Sequence, residues 1–220
     1  MKGVRSKQTL LFDLDGTLLD QRFDNVFWNE TVPREIAIQE DSSLEECKDK
    51  VYAHYKKVYG TLDWYSSDFW SKTFNINIKN LTYQERDKIS LHEGSRSLLE
   101  SLVESGETLF LVTNAHPDIL NIKLDITGLS RYFQAIFSSH EIGHAKEESL
   151  FWEKLISKTG IDAKEAVLID DNLAVLDQAS IFGIGKCIAI TQPDSSLIPI
   201  KVDDYISIQS VAELSLVLSN

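Results

Sequence analysis

Residues 12–20, Phe-Asp-Leu-Asp-Gly-Thr-Leu-Leu-Asp, place two carboxylates and a hydroxyl at the end of an apolar run. Thr9, Leu10, Leu11 and Phe12 read as a buried strand, and Gly16 supplies the turn that stops it. Asp13 and Asp15 stand two residues apart, so on a strand their side chains leave the same face and reach one site at its carboxyl end. Two anions so close call for a cation. A hard divalent ion such as Mg²⁺, held by oxygen ligands, would let Asp13 stay ionised as a nucleophile while Asp15 holds or exchanges a proton.

Those carboxylates need a frame, and the chain beyond residue 85 supplies its pattern. Apolar runs at Thr108 to Thr113, Ala135 to Ser138, Ala166 to Asp170 and Lys186 to Ile190 alternate with helical stretches around Arg96 to Glu104, Pro117 to Thr127, Glu148 to Lys158 and Leu173 to Phe182. Strand-helix alternation of this kind predicts a Rossmann-like α/β core, a parallel sheet with helices on both faces, whose ligands lie at the carboxyl ends of the strands. Polar residues fall at those ends: Asp13 and Asp15 after the first strand, Thr113 and Asn114 after the second, Asp170 and Asp171 after the fourth. Residues 21–88 break the alternation. They are rich in Trp, Tyr and charge at helical spacing, as at Val51, Tyr55 and Val58, and predict an α-helical insertion into a core made of residues 1–20 and 89–220.

A net charge of −12 without a long basic run argues against a nucleic-acid or anionic-membrane surface, while a small phosphate ester remains open to a site with its own metal and lysines. Cys47 and Cys187 have no metal-ligand spacing and form no disulfide framework. The basic start, Met1 to Lys7, is followed by an apolar run that Asp13 interrupts, which is unlike a secretory signal, and no stretch approaches the ~18 apolar residues of a membrane span. A cytoplasmic location is therefore expected.

Asp13-Leu-Asp-Gly-Thr17, Thr113-Asn114, Lys146 and Asp170-Asp171, in this order at strand ends, resemble the haloacid dehalogenase superfamily across the whole chain. The resemblance implies that Asp13 attacks phosphorus and carries an aspartyl phosphate, and that Asp15 serves as general acid and then base. It further implies that Thr17 orders the loop on the substrate side, that Thr113 and Asn114 grip the phosphoryl group, and that Lys146 neutralises Asp13 and the phosphate. Asp171 would bind Mg²⁺ directly and Asp170 directly or through water, together with Asp13 and the Asp15 carbonyl. Relatives often carry proline beside this lysine. Ala145 and Glu147 flank it here, which predicts a looser loop.

Within the superfamily, Asp15 points to phosphate esters rather than halides, because a halide leaves without a proton. The insertion resembles a cap that closes over small substrates. Phe23-Asp-Asn-x-Phe-Trp28, Trp64-Tyr65, Asp68-Phe-Trp70, Leu111-x-Thr-Asn-Ala-His-Pro117 and Pro193-Asp-Ser195 are similar to bacterial purine 5′-nucleotidases acting on GMP and IMP. That resemblance makes Asn25 and Trp64 candidates for reading the base. Sugar phosphates or phosphoglycolate are the alternative substrates, a phosphomutase the alternative reaction, and a phospholigand-binding protein without turnover the alternative of another class. His116, just before Pro117, reads foremost as a helix-entry residue.

Overall fold

The computed structural model describes residues 7–218. Short apolar runs flanked by helical segments can satisfy their backbone groups only beside one another, and they do so as a parallel sheet. β1 (Thr9–Phe12), β2 (Thr108–Thr113), β3 (Ala135–Ser138), β4 (Ala166–Asp170), β5 (Lys186–Ile190) and β6 (Ile206–Ile208) pair in the order β3-β2-β1-β4-β5-β6, every pair parallel. β1 lies centrally, with Leu10 opposite Leu109 and Val167. The direction of winding reverses between β1 and β4, and a crevice opens there beyond the strand ends. The edge strand β6 is an element that the sequence pattern did not disclose.

Residues 22–88 carry α1 (Arg22–Val26), α2 (Val32–Glu40), α3 (Leu44–Val58), α4 (Ser67–Phe74) and α5 (Ile78–Gln84), with one π-helical turn, Phe27–Thr31, between the first two. Capping follows the side chains: Ser43 accepts from the Glu46 amide in a capping box, and Ser66 and Asn77 cap α4 and α5. After them come α6 (Ser95–Glu104), α7 (Pro117–Thr127), α8 (Ser139–Ile142), α9 (Ser149–Thr159), α10 (Leu173–Phe182) and α11 (Leu214–Leu218). No helix among the described residues is long and apolar enough to cross a membrane.

Strand periodicity divides the interior in two. Leu10 and Phe12 face a core completed by Leu99, Leu120, Leu124 and Leu214, which also runs into the helical insert through Phe23, Phe27, Val51 and Trp70. Leu11 faces the opposite core, with Phe151, Trp152, Leu155, Val175 and Leu176 from α9 and α10. Helices therefore cover both faces of the sheet, and all three of these β1 side chains are fully buried. Each such side chain contributes about 1.5–3 kcal/mol of burial, which makes β1 a stiff mount for the loop bearing Asp13 and Asp15.

Candidate active site

The crevice at the reversal collects the acidic residues. The Asp13 amide extends the β1–β4 ladder to the Ile169 carbonyl (3.0 Å), so Asp13 leaves the sheet beside Asp170 and Asp171. Gly16 turns the loop back with φ +83°. A Cβ there would lie 2.6 Å from Asp171 Oδ2, so the residue must be glycine for the two loops to meet so closely.

Lys146, on the segment between α8 and α9, is 2 % exposed. Its Nζ lies 2.5 Å from Asp13 Oδ1 and 2.7 Å from Asp170 Oδ2, and it also donates to the Val112 carbonyl. Burial pushes this ammonium down, but Asp13 and Asp170 outweigh it and hold the group above the ordinary lysine range, so it remains a cation. The looser loop expected without a neighbouring proline is not what the structure has. The Lys146 amide donates to Asn114 Oδ1 (3.0 Å), its carbonyl accepts from Trp152 Nε1 (2.8 Å), and the Ala145 amide donates to Glu148 Oε1 (3.0 Å). Hydrogen bonds hold the loop where a proline ring would otherwise stiffen it.

One lysine does not neutralise this group. Burial, with Asp170 and Asp15 adding to it, raises the Asp13 carboxyl to about 8 against the pull of Lys146, and burial with Asp13 and Asp170 raises Asp171 well above the usual range. Ligand atoms from Asp13, Asp170 and Asp171 lie within 4.8 Å of one another. An all-oxygen set with surplus negative charge fits a hard divalent cation. Asp170 commits its oxygens to Lys146 Nζ and the Asn172 amide (2.9 Å), whereas Asp171 Oδ2 accepts a long, 3.3 Å bond from Gln21 Nε2. Asp171 is therefore the freer ligand of the pair.

Thr113 and Asn114 follow β2 into the same crevice. Asn114 is fixed at both ends: its Oδ1 accepts from the Lys146 amide and its Nδ2 donates to Glu147 Oε2 (3.0 Å). Glu147 accepts also from Tyr65 Oη (2.5 Å) of the insert and from Asn172 Nδ2 (3.4 Å). Tyr65→Phe should cost about 1.5–3 kcal/mol in urea unfolding, the worth of a hydrogen bond to a charged acceptor; an unchanged midpoint would mean that this bond does not hold the insert down.

Thr17, expected on the substrate side of the loop, is fully buried and does not line the cavity, and among the described residues its hydroxyl has no hydrogen-bond partner. His116 caps α7 ahead of Pro117, accepting from the Asp118 amide (3.4 Å), and it also meets Ser67 Oγ of the insert at 2.8 Å.

Above the carboxylates the crevice continues into the insert as a cavity of about 280 Å³. Trp28, Tyr55, Trp64, Tyr65 and Trp70 line it, with Asn25 and Asn29. Tyr55 and Trp70 are buried, and their polar ends donate to the Trp28 and Trp64 carbonyls, so they serve first as the core of the insert. Trp28 and Trp64 are only half-buried. Asn25 lines the cavity while its Nδ2 donates to Asp194 Oδ2 (2.8 Å), leaving its oxygen as the free end of the amide.

Sequence reasoning passed over Lys123, which is 1 % exposed and reaches Asp15 Oδ1 at 2.7 Å and both oxygens of Asp24 at 2.8 Å. A signal existed: Lys123 lies three and four residues after Leu120 and Ile119, on the apolar face of α7. Burial raises the Asp24 carboxyl to about 6, against the pull of Lys123.

Comparison with known proteins shows the family and the fold. The model of the family described as haloacid dehalogenase-like hydrolase matches residues 10–189. GMP/IMP nucleotidase YrfG of Escherichia coli is 38% identical over 189 residues, covering 86% of this chain and 85% of that protein. Pyrophosphatase PpaX of Listeria monocytogenes is 26% identical over 176 residues, 74% of each chain. Among solved structures, a HAD phosphatase from Thermococcus onnurineus superposes with a TM-score of 0.80 at 23% identity, over 96% of this chain and 97% of that one.

Proposed function

The chain belongs to the haloacid dehalogenase-like hydrolases and is a phosphatase of that family, and on that premise we propose that it is a Mg²⁺-dependent purine 5′-nucleotidase hydrolysing GMP and IMP. The observation that carries this reading is the continuity of one cavity from Asp13 to the half-buried Trp28 and Trp64. At about 280 Å³ it is near the small end of ligand pockets, a size suited to a mononucleotide rather than a polymer. Similarity to GMP/IMP nucleotidase YrfG over most of the chain supports the same substrate class.

In this reading an oxygen of ionised Asp13 attacks phosphorus while the bond from phosphorus to the nucleoside O5′ breaks, and Asp15 gives its proton to that departing oxygen. Asp15 then takes a proton from the water that attacks the aspartyl phosphate, which releases phosphate and restores Asp13. Lys146 and the Thr113 and Asn114 side chains bear the charge that spreads over the phosphoryl oxygens. Asp13, Asp170 and Asp171 would hold Mg²⁺, which when bound supplies further neutralisation of those oxygens. The helical insert acts as a cap that keeps bulk water from the intermediate. Trp28 and Trp64 offer stacking faces, and the Asn25 oxygen offers an acceptor for the base edge.

Phosphate release from GMP, IMP, AMP, UMP, phosphoglycolate and hexose phosphates, with and without Mg²⁺, tests the reading. GMP and IMP should lead and require the metal; Mg²⁺-dependent activity on sugar phosphates alone would keep the chemistry and discard the nucleotide. Trp64→Ala should raise KM for GMP about tenfold, the loss of one stacked base, with little change for phosphoglycolate. Equal effects on both esters would remove Trp64 from base recognition.

A further inference from the structure

The most unusual buried charge outside the metal-type cluster is Lys123. Nothing in the phosphoryl-transfer steps calls for a second interior lysine, and an unpaired one would be strongly destabilising. It is paired twice. Nζ takes one oxygen of Asp15 at 2.7 Å and both oxygens of Asp24 at 2.8 Å, beneath the Phe23 ring, whose centroid is 5.6 Å away. The three residues come from three parts of the fold: the loop after β1, helix α7 of the core, and α1, the first helix of the insert.

Those positions have a mechanical consequence. The Asp15 carboxylate is otherwise on a short flexible stem in a loop, about a quarter exposed (23 %) towards the cavity. Tethering Oδ1 fixes its rotation and leaves Oδ2 as the oxygen available to a substrate. The tether is itself gripped by Asp24, so it is complete when the insert is seated on the core. Small errors in the placement of an acid cost large factors in rate.

We propose that Lys123 is a positioning residue that orients Asp15 towards the leaving oxygen and, through Asp24, ties that orientation to the seating of the helical insert. The inference rests on the phosphatase reading above, with Asp15 as acid. It adds two residues from the cavity lining whose part in the reaction runs through Asp15.

A leaving-group comparison separates this role from a structural one. The test uses the best alkyl phosphate of the substrate panel, whose alkoxide needs a proton to depart, and p-nitrophenyl phosphate, whose phenolate does not. In Lys123→Met, kcat/KM for the alkyl ester should fall about 100-fold, the usual worth of a placed acid, and that for the aryl ester less than about threefold. Lys123→Arg should restore part of the difference. Asp24→Asn keeps the buried cation paired with Asp15 and covers the case in which Lys123→Met does not fold; its alkyl-ester kcat/KM should fall about tenfold, again with the aryl ester nearly unchanged. Equal losses on both esters, or no loss on either, in variants with a wild-type melting temperature would overturn the proposal. If instead the wild-type protein hydrolysed no ester, the phosphatase reading would fail, and the inference with it.

Discussion

Asp13→Asn should abolish Mg²⁺-dependent phosphate release, a fall of about four or more orders of magnitude, while leaving the protein folded. The size reflects what the substitution removes. Asn114, Thr113 and Lys146 are all held by contacts independent of the Asp13 charge: Lys146 keeps Asp170 at 2.7 Å and the Val112 carbonyl at 3.2 Å, Asn114 keeps the Lys146 amide and Glu147, and Thr113 keeps the Ala115 amide. On the proposed mechanism the residues that grip the phosphoryl group therefore stay in place and only the attacking oxygen is lost. Folding should not suffer, because Asp13 is one of three crowded carboxylates and its replacement by a neutral amide relieves Asp170 and Asp171. The measurement is phosphate release set beside a thermal melt at pH 8. A variant that melts normally and turns over at the wild-type rate would sink covalent catalysis by Asp13. Reduced turnover only in proportion to a lowered melting temperature would make Asp13 structural.

What the chain disclosed before folding, and what it withheld, divides along physical lines. β1 to β5 are runs of four to six mostly apolar residues bounded by polar ones, and burial on both faces makes such runs readable. The helices with matched boundaries, α7 and α10, begin after His116 and Asn172, which cap them, and end at glycines, Gly128 and Gly183, in the left-handed conformation. β6 is three residues long and largely exposed, so its only signature is its neighbour β5, which no local pattern contains. The carboxylates at the strand ends were legible because a parallel sheet delivers such ends to one crevice whatever the sequence between them.

The ties between insert and core were not legible, because each joins residues distant in the chain: Tyr65 to Glu147 across 82 positions, Asn25 to Asp194 across 169, Lys123 to Asp24 across 99. Glu147 in sequence reads only as a missing proline, and Lys123 as one more lysine. Their meaning comes from the partner. The insert aromatics show the same division: the spacing of Tyr55 within α3 marks it as core, but only packing distinguishes buried Trp70 from half-buried Trp64.

The same crowding of carboxylates sets how stability responds to pH. Asp13 holds its proton to about 8 in the folded protein, against 3.8 ordinarily, so between these values the folded state binds more protons than the unfolded state. Stability must then decline as pH rises through that interval and stop responding to this group above it. Asp171, also raised, acts in the same sense, and Asp24 does so up to about 6. His140 opposes them at lower pH, since burial and then His116 depress it from 6.5 to about 4, but above 6.5 the remaining change is only about 0.4 kcal/mol. Lys123 and Lys146, raised by their carboxylates, do not change below the ordinary lysine range. The acidic cluster therefore dominates the window from about pH 6.5 to about pH 8. Without divalent metal, stability should fall there by about 2 kcal/mol, a drop of about 4–8 °C in melting temperature for a chain of this length. A cation that takes the place of the protons should bind more tightly as pH rises, so Mg²⁺ should raise the melting temperature more at the upper end of the window than at the lower. Thermal melts in chelator and in saturating Mg²⁺ at the two pH values decide the matter. A metal-free melting temperature that holds or rises across the window would mean that Asp13 is already ionised at its lower end and that Lys146 alone suffices to balance it.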